Sequence, residues 1–353
     1  MRAGSPEKVG RLTEPVIGNG LEAVERSPAT GGPILLMGMP RSGTTWIGKI
    51  FDSHPRTIYR HEPDNFTAIR ELPLLTESEK WPQYEAVLRG AVSEILALRQ
   101  TKVAASRPVF GKSYFLPGER AAHRLANFAS KALARLLGEF EVPDWRNYAA
   151  LRDAPLVWKS IESVGRLGTL VRALPGSRAA LLVRHPCGYV ASVLRGEARR
   201  QFEDGCSSSE DYGVFELLVD LPEAKERGLT IDRLHHLSPV ERLAWRWVLF
   251  NEKAMNDIDA IDRARVFRYE DFCRNPESTT RAAFDFAGLS WSPQTEDFLR
   301  ASTSADDARY YAIVKDPLRA AMKWQTELDA ADIDGILRIA GDTRPGKLFT
   351  EEA

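Results

Sequence analysis

Residues 34–46, Ile-Leu-Leu-Met-Gly-Met-Pro-Arg-Ser-Gly-Thr-Thr-Trp, leave the chain few ways to fold. The apolar run from Ile34 to Met37 suits a buried strand, the Gly/Pro/Ser/Gly stretch a tight turn, and Thr44 onward a helix. Strand, turn and helix start in that order gather backbone N–H groups at the positive end of a helix, a seat for a phosphate or sulfate group. Gly38 and Gly43 stand where the glycines of the ATP-binding loop G-x-x-x-x-G-K-[ST] would, but Thr44 replaces its lysine. The nearby cation is Arg41, inside the turn. The loop is expected to bind an anion and to be a poor ATPase loop.

The rest of the chain supplies an alternating α/β rhythm. Strands are expected at 156–158, 179–183 and 264–268, a short extended stretch at 57–59, and helices at 44–52, 164–173, 188–199 and 241–256, the last opened by Pro239. Strands separated by helices imply a three-layer α/β/α fold with a mostly parallel central sheet, P-loop-like, and ligands at the C-terminal strand ends. Residues 1–31, punctuated by Gly and Pro, read as a flexible arm, and 32–353 as one domain. Within it, 64–150 lacks a sheet rhythm and reads as a helical insertion, with helices at 84–99 and 120–137, that shapes the acceptor site. The segment 203–212 is the best candidate for a flexible loop or lid.

A formal net charge of −1 gives no global field for nucleic acid or an anionic membrane, so any anion site is local. No run approaches the roughly 18 apolar residues of a membrane span. Residues 1–30 contain no signal-peptide core. Cys187, Cys206 and Cys273 are odd in number and in no metal-ligand pattern, which favours a reducing compartment. A cytoplasmic protein is expected.

A second anion motif follows the 179–183 strand. Arg184 ends it, and Ser192 lies eight residues on, reaching the same site only if the intervening helix packs back over it. Together with the Pro-Arg-Ser-Gly-Thr-Thr-Trp loop, this pair resembles the PAPS-dependent sulfotransferases. The resemblance continues through Asp52-Ser53-His54-Pro55 with Glu62-Pro63, Trp158-Lys159-Ser160, Leu174-Pro175-Gly176-Ser177, Arg184-His185-Pro186, Arg268-Tyr269-Glu270-Asp271-Phe272, Asn275-Pro276-Glu277 and Lys323-Trp324. It covers roughly 34–62 and 155–325. Arg41, where the phenol-type cytosolic enzymes carry lysine, is similar to the carbohydrate and tyrosylprotein branch.

That resemblance implies 3′-phosphoadenosine 5′-phosphosulfate (PAPS) as co-substrate, with the loop on its 5′-phosphosulfate and Arg184 with Ser192 on its 3′-phosphate. The product would be 3′-phosphoadenosine 5′-phosphate, released without a metal. Arg41 would neutralise the sulfuryl and leaving-group oxygens; Ser42, Gly43, Thr44 and Thr45 would supply loop donors. Trp46 would lie along the nucleotide or in the core. Glu62, 21 residues after Arg41 as in the similar tyrosylprotein enzymes, is the expected general base, with His61 its competitor. Lys159 would bridge the leaving oxygen or steady the acceptor, or else snorkel at a sheet edge. Tyr269 would stack near the adenine or serve as a core tyrosine, and Lys315 resembles a lysine that closes over the phosphosulfate. The Trp245/Trp247 pair reads as core packing. The acceptor would be a hydroxyl on a sugar, lipid, natural product or peptide tyrosine. The rivals are a P-loop nucleotide kinase or NTPase, which needs a lysine at 44 and an acidic strand end for Mg²⁺, and a catalytically silent nucleotide-binding protein of the same fold.

Overall fold

A computed structural model of the chain describes residues 32–115, 141, 154–198, 207–304 and 317–352. Five short strands, β1 (Ile34–Met37), β2 (Ile58–His61), β3 (Leu156–Ser160), β4 (Arg178–Val183) and β5 (Ala264–Arg268), form one sheet in the order β2-β3-β1-β4-β5. Every pairing is parallel. The chain therefore crosses over between strands, and the helices that carry it cover both faces.

The central strand β1 and its neighbour β4 are apolar at nearly every position because both faces are buried there, and alternation sorts the side chains of the sheet. Leu35, Met37, Trp158, Leu181 and Val183 enter one core with α3 (Leu167–Ala173), α4 (Pro186–Ala198) and α5 (Pro239–Ile258). Ile34, Leu36, Tyr59, Val157 and Leu182 enter the other, against α1 (Thr44–Ser53), α6 (Tyr269–Arg274) and α7 (Pro276–Ala287). Helix α5 starts at the expected proline: Ser238 and Glu241 form a reciprocal capping box, with Pro239 in the first turn.

Three sequence expectations change. The extended stretch after α1 runs to His61, not Tyr59, because β2 pairs with β3 as far as His61 opposite Lys159. The helix expected at 84–99 is Glu85–Ala97 (α2), preceded by a 3₁₀ turn that contains Pro82. The described part of 203–212 is anchored: Arg242 Nε donates to the Ser209 carbonyl at 2.7 Å and Arg246 to the Ser208 carbonyl at 3.0 Å. The helix expected at 120–137 and residues 199–206 lie outside the described residues, as does Lys315. From 64–150, Ile69, Leu88, Ala91 and Ile95 are buried in the main core with the strand residues.

Candidate active site

The anion loop follows β1 and opens into α1, as the sequence demands. Gly43 is the N-cap of α1 at φ +89°, and no side chain caps the helix. The first intrahelical bonds run from Trp46 and Ile47 N–H to the Gly43 carbonyl. The amides of Thr44 and Thr45 therefore precede the hydrogen-bond ladder and point to the positive helix end. Only glycine fits at 43: a Cβ there would stand 2.2 Å from the Tyr269 ring. Ser42 closes the turn with its hydroxyl donating to the Met39 carbonyl at 2.6 Å. Thr44 is buried, Thr45 exposed.

Among the described residues, only two non-glycines have positive φ, Arg41 at +70° and Glu62 at +49°. Such backbone costs about 1–3 kcal/mol and persists where the surroundings over-determine it. Both residues carry expected chemistry, and they sit at the C-terminal ends of β1 and β2.

Helix α4 does pack back over the loop. Arg41 Nε donates to Ser192 Oγ at 3.1 Å, and Arg195 reaches the same hydroxyl at 3.4 Å. Arg184 Nη1 donates to the Arg41 carbonyl at 2.9 Å and Nη2 to that of Ala320 at 3.1 Å. The two anion motifs are thus wired to each other, where the sequence suggested separate grips. Arg184 Nε is buried without a partner among the described residues, and the guanidinium lies 5.1 Å from the centre of the Tyr269 ring. A buried unpartnered donor costs about 1–3 kcal/mol, so this edge of the site fits an anion.

Two aromatic residues of the expected set are packed under the loop. Tyr269 is 3% exposed, edge-on to Trp46 and against Gly43. Trp46 is buried, its indole N–H donating to Ser302 Oγ at 3.1 Å. Supports to which the sequence reading gave no role at the site lie just behind; Trp247 is in the core, as expected, and also reaches the site through its N–H. Trp247 donates to the Arg184 carbonyl at 2.9 Å, Glu270 accepts the His185 N–H at 3.1 Å, and Trp324 stacks on His185 with centroids 4.6 Å apart. An indole at helical spacing gives no sign that its N–H reaches a strand end 63 residues away.

Glu62 is fixed at both ends by Lys159. Its N–H donates to the Lys159 carbonyl at 2.8 Å, extending the β2–β3 register by one residue, and the Lys159 ammonium hydrogen-bonds Glu62 Oε1. Lys159 is fully buried on an interior strand. It neither snorkels nor lies at a sheet edge; in this structure its ammonium is committed to the carboxylate. The Glu62 side chain keeps 34% exposure, so one side faces outward. Burial would raise the Glu62 pKa, but the adjacent Lys159 charge and the Lys159 hydrogen bond outweigh it and hold the carboxyl below its ordinary value. Burial pulls the Lys159 ammonium down from its own ordinary value, against Glu62. His61 is lowered to about 3, by burial first and then by Lys159. At neutral pH it is a neutral imidazole beside the ionised Glu62.

Just beyond the pair, Asp64 accepts from Trp158 Nε1 at 3.3 Å and from the Ser163 hydroxyl, and Asn65 donates to Glu162 at 2.7 Å. The geometry therefore joins a cationic half, from β1, β4 and α4, to an acidic half, from β2 and β3. Arg41, Ser42, Gly43, Thr44, Thr45, Arg184 and Ser192 fall in or around the first, and Glu62 with Lys159 in the second. Such an arrangement can hold an anionic donor beside a carboxylate able to take a proton.

No helix among the described residues is long and apolar enough to cross a membrane. No curated protein matches the chain. Several solved structures are similar to it. The sulfotransferase domain from the curacin biosynthetic pathway shares 19% identity, covering 89% of this chain and 98% of that one, with a TM-score of 0.43. The sulfotransferase domain of the Synechococcus PCC 7002 olefin synthase shares 15%, over 91% and 97%, at 0.41. Mouse sulfotransferase SULT7A1, solved in complex with PAP, shares 12%, over 92% and 90%, at 0.42. The family model described as the sulfotransferase family matches residues 33–237, more than half of the 353 residues, and the chain belongs to that family.

Proposed function

We propose that the protein transfers a sulfuryl group from PAPS to a hydroxyl acceptor, directly and in line, with Glu62 as general base. The observation that carries this reading is the juxtaposition of the Arg41 loop, wired to Arg184 and Ser192, with a Lys159-held carboxylate on the neighbouring half of the same sheet end. The donor's 5′-phosphosulfate would take the Thr44 and Thr45 amides, the Thr45 hydroxyl and the Arg41 charge. Its 3′-phosphate would take the buried Nε edge of Arg184 and the Ser192 hydroxyl. Trp46 and Tyr269 then support the loop from beneath. Lys315 is the remaining residue of the expected donor set.

In the transfer, the acceptor oxygen bonds to sulfur as the bond between sulfur and the 5′-phosphate oxygen breaks. The electron pair stays on that phosphate oxygen, beside Arg41, and the acceptor proton passes to Glu62. Preorganised positive charge at the leaving oxygen is the term the protein controls most directly. Lys159 acts through Glu62, keeping it ionised and aimed. The acceptor is an alcohol of a sugar, lipid, natural product or peptide tyrosine, bound over Glu62 with help from the 64–150 block. A reducing, cytoplasmic setting belongs to this reading, since the three cysteines are widely spaced, odd in number and in no metal-ligand pattern.

Calorimetry is the first test. 3′-Phosphoadenosine 5′-phosphate is expected to bind at least tenfold tighter than ATP; tight ATP binding with none for the bisphosphate would restore the kinase reading. Glu62→Ala is expected to lower turnover about 10²–10⁴-fold while leaving bisphosphate affinity intact. Parent-rate turnover by that variant would remove Glu62 as the base.

A further inference from the structure

Glu62 has two carboxylate oxygens, and the structure treats them differently. Lys159 Nζ bonds Oε1, and His61 Nε2 approaches the same Oε1 at 3.6 Å. On its other side, His61 Nδ1 lies 2.9 Å from the Tyr59 hydroxyl. Alternation along β2 explains the grouping. Tyr59 and His61 are two apart, so both face α1, and the register sets His61 beside Lys159.

We propose that Tyr59 and His61 form a positioning dyad that, with Lys159, holds Oε1 and leaves Oε2 as the oxygen that takes the acceptor's proton. This rests on the reading of Glu62 as the base. The Tyr59 hydroxyl is buried and, among the described residues, has His61 Nδ1 as its hydrogen-bond partner. If Tyr59 donates, Nδ1 accepts and the proton sits on Nε2, directed at Oε1. The opposite tautomer would set the Nε2 lone pair against the carboxylate, opposing two acceptors. A doubly protonated ring is disfavoured by burial and by Lys159. The 3.6 Å separation is long for a hydrogen bond, and catalytic contacts of this kind shorten when substrate is bound. The charged groups facing the ring are Glu62 just after β2, Lys159 on β3, and Lys49 and Asp52 on α1. Lys49 sits 5.1 Å from the Tyr59 ring centre.

Imidazole ¹⁵N shifts of histidine-labelled protein test the dyad directly, with His61→Gln assigning its signals among the six histidines. A protonated Nε2 and an accepting Nδ1 are expected; the reverse pattern overturns the proposal. Tyr59→Phe keeps the ring's volume, so the fold survives, and is expected to lower kcat about five- to tenfold without moving the donor KM. His61→Gln, which returns an N–H near Nε2, should retain several-fold more kcat than His61→Leu. Equal rates for Gln and Leu, or an unchanged kcat in Tyr59→Phe, would overturn it. Failure of the parent reading looks different: Glu62→Gln then turns over at the wild-type rate while the ¹⁵N pattern stays as expected.

Discussion

At the level of single residues, the two groups proposed to carry the chemistry sit where the backbone is least comfortable. Arg41 and Glu62 hold positive φ because neighbours pin them: Ser192 and Arg184 around the first, Lys159 at both ends of the second. Lys159→Met tests what that pinning does. Removing the ammonium leaves the burial of Glu62, which raises its pKa, without the charge that outweighs it. In the parent protein Glu62 is lowered, so the acid limb of kcat/KM lies below the ordinary glutamate range. In the variant the limb moves up in pH, and the plateau above it falls as aim is lost. A pH–rate profile reads both, and an unmoved acid limb would mean Lys159 does not set the ionisation of Glu62. Arg41 and Glu62 were legible as residues in the sequence, from motif and spacing. Their coupling to Lys159 was not, because it depends on β2–β3 register across 97 residues.

Elements were legible where local pattern alone decides them. The run 34–37 and the Gly/Ser turn fix β1 and α1, and Ser238-Pro239 with Glu241 fixes the start of α5. Strand ends set by a partner were not, which is why β2 outruns its apolar stretch to include His61. The loop between β1 and α1 also depends on a distant element, since Tyr269 at the start of α6 fills the space a side chain at 43 would need. Gly43→Ala is therefore expected to act twice, through a strained φ of +89° and a ring contact at 2.2 Å. The pair should lower stability by about 1–3 kcal/mol and weaken bisphosphate binding more than tenfold. Tyr269→Ala in the same chain opens the ring's space and should recover part of the binding but not the φ penalty. Calorimetry on the single and double variants separates the two terms; equal affinities in both would mean the ring contact is not what limits residue 43.

Across the whole molecule, the stretch after α2 is tied to the fold by buried charge as well as by the packing of Val103 and Phe110. Asp52, at the end of α1, sits between two buried lysines: Lys49 Nζ lies 2.6 Å from Oδ2, and Lys112 Nζ 3.0 Å from Oδ1. Lys49 also donates to the carbonyls of Ser106 and Pro108, and Lys112 to those of Asp52 and His54. One carboxylate thus serves two desolvated ammonium groups that clamp residues 106–112 onto the helix carrying the anion loop. Burial would raise the Asp52 pKa, but Lys112 and Lys49 outweigh it and lower it. The stability it contributes is therefore present above the unfolded carboxylate range and is lost as pH falls through its lowered folded value. Asp52→Asn removes the only charge in the trio able to offset the lysines, and should cost about 3–5 kcal/mol at neutral pH. Replacing the set together, Asp52→Leu with Lys49→Met and Lys112→Met, removes the buried charges along with their counter-ion, so most of that loss should return. Urea unfolding at neutral pH checks both. If the triple variant is as unstable as Asp52→Asn, the clamp works through its carbonyl hydrogen bonds and not through its charges.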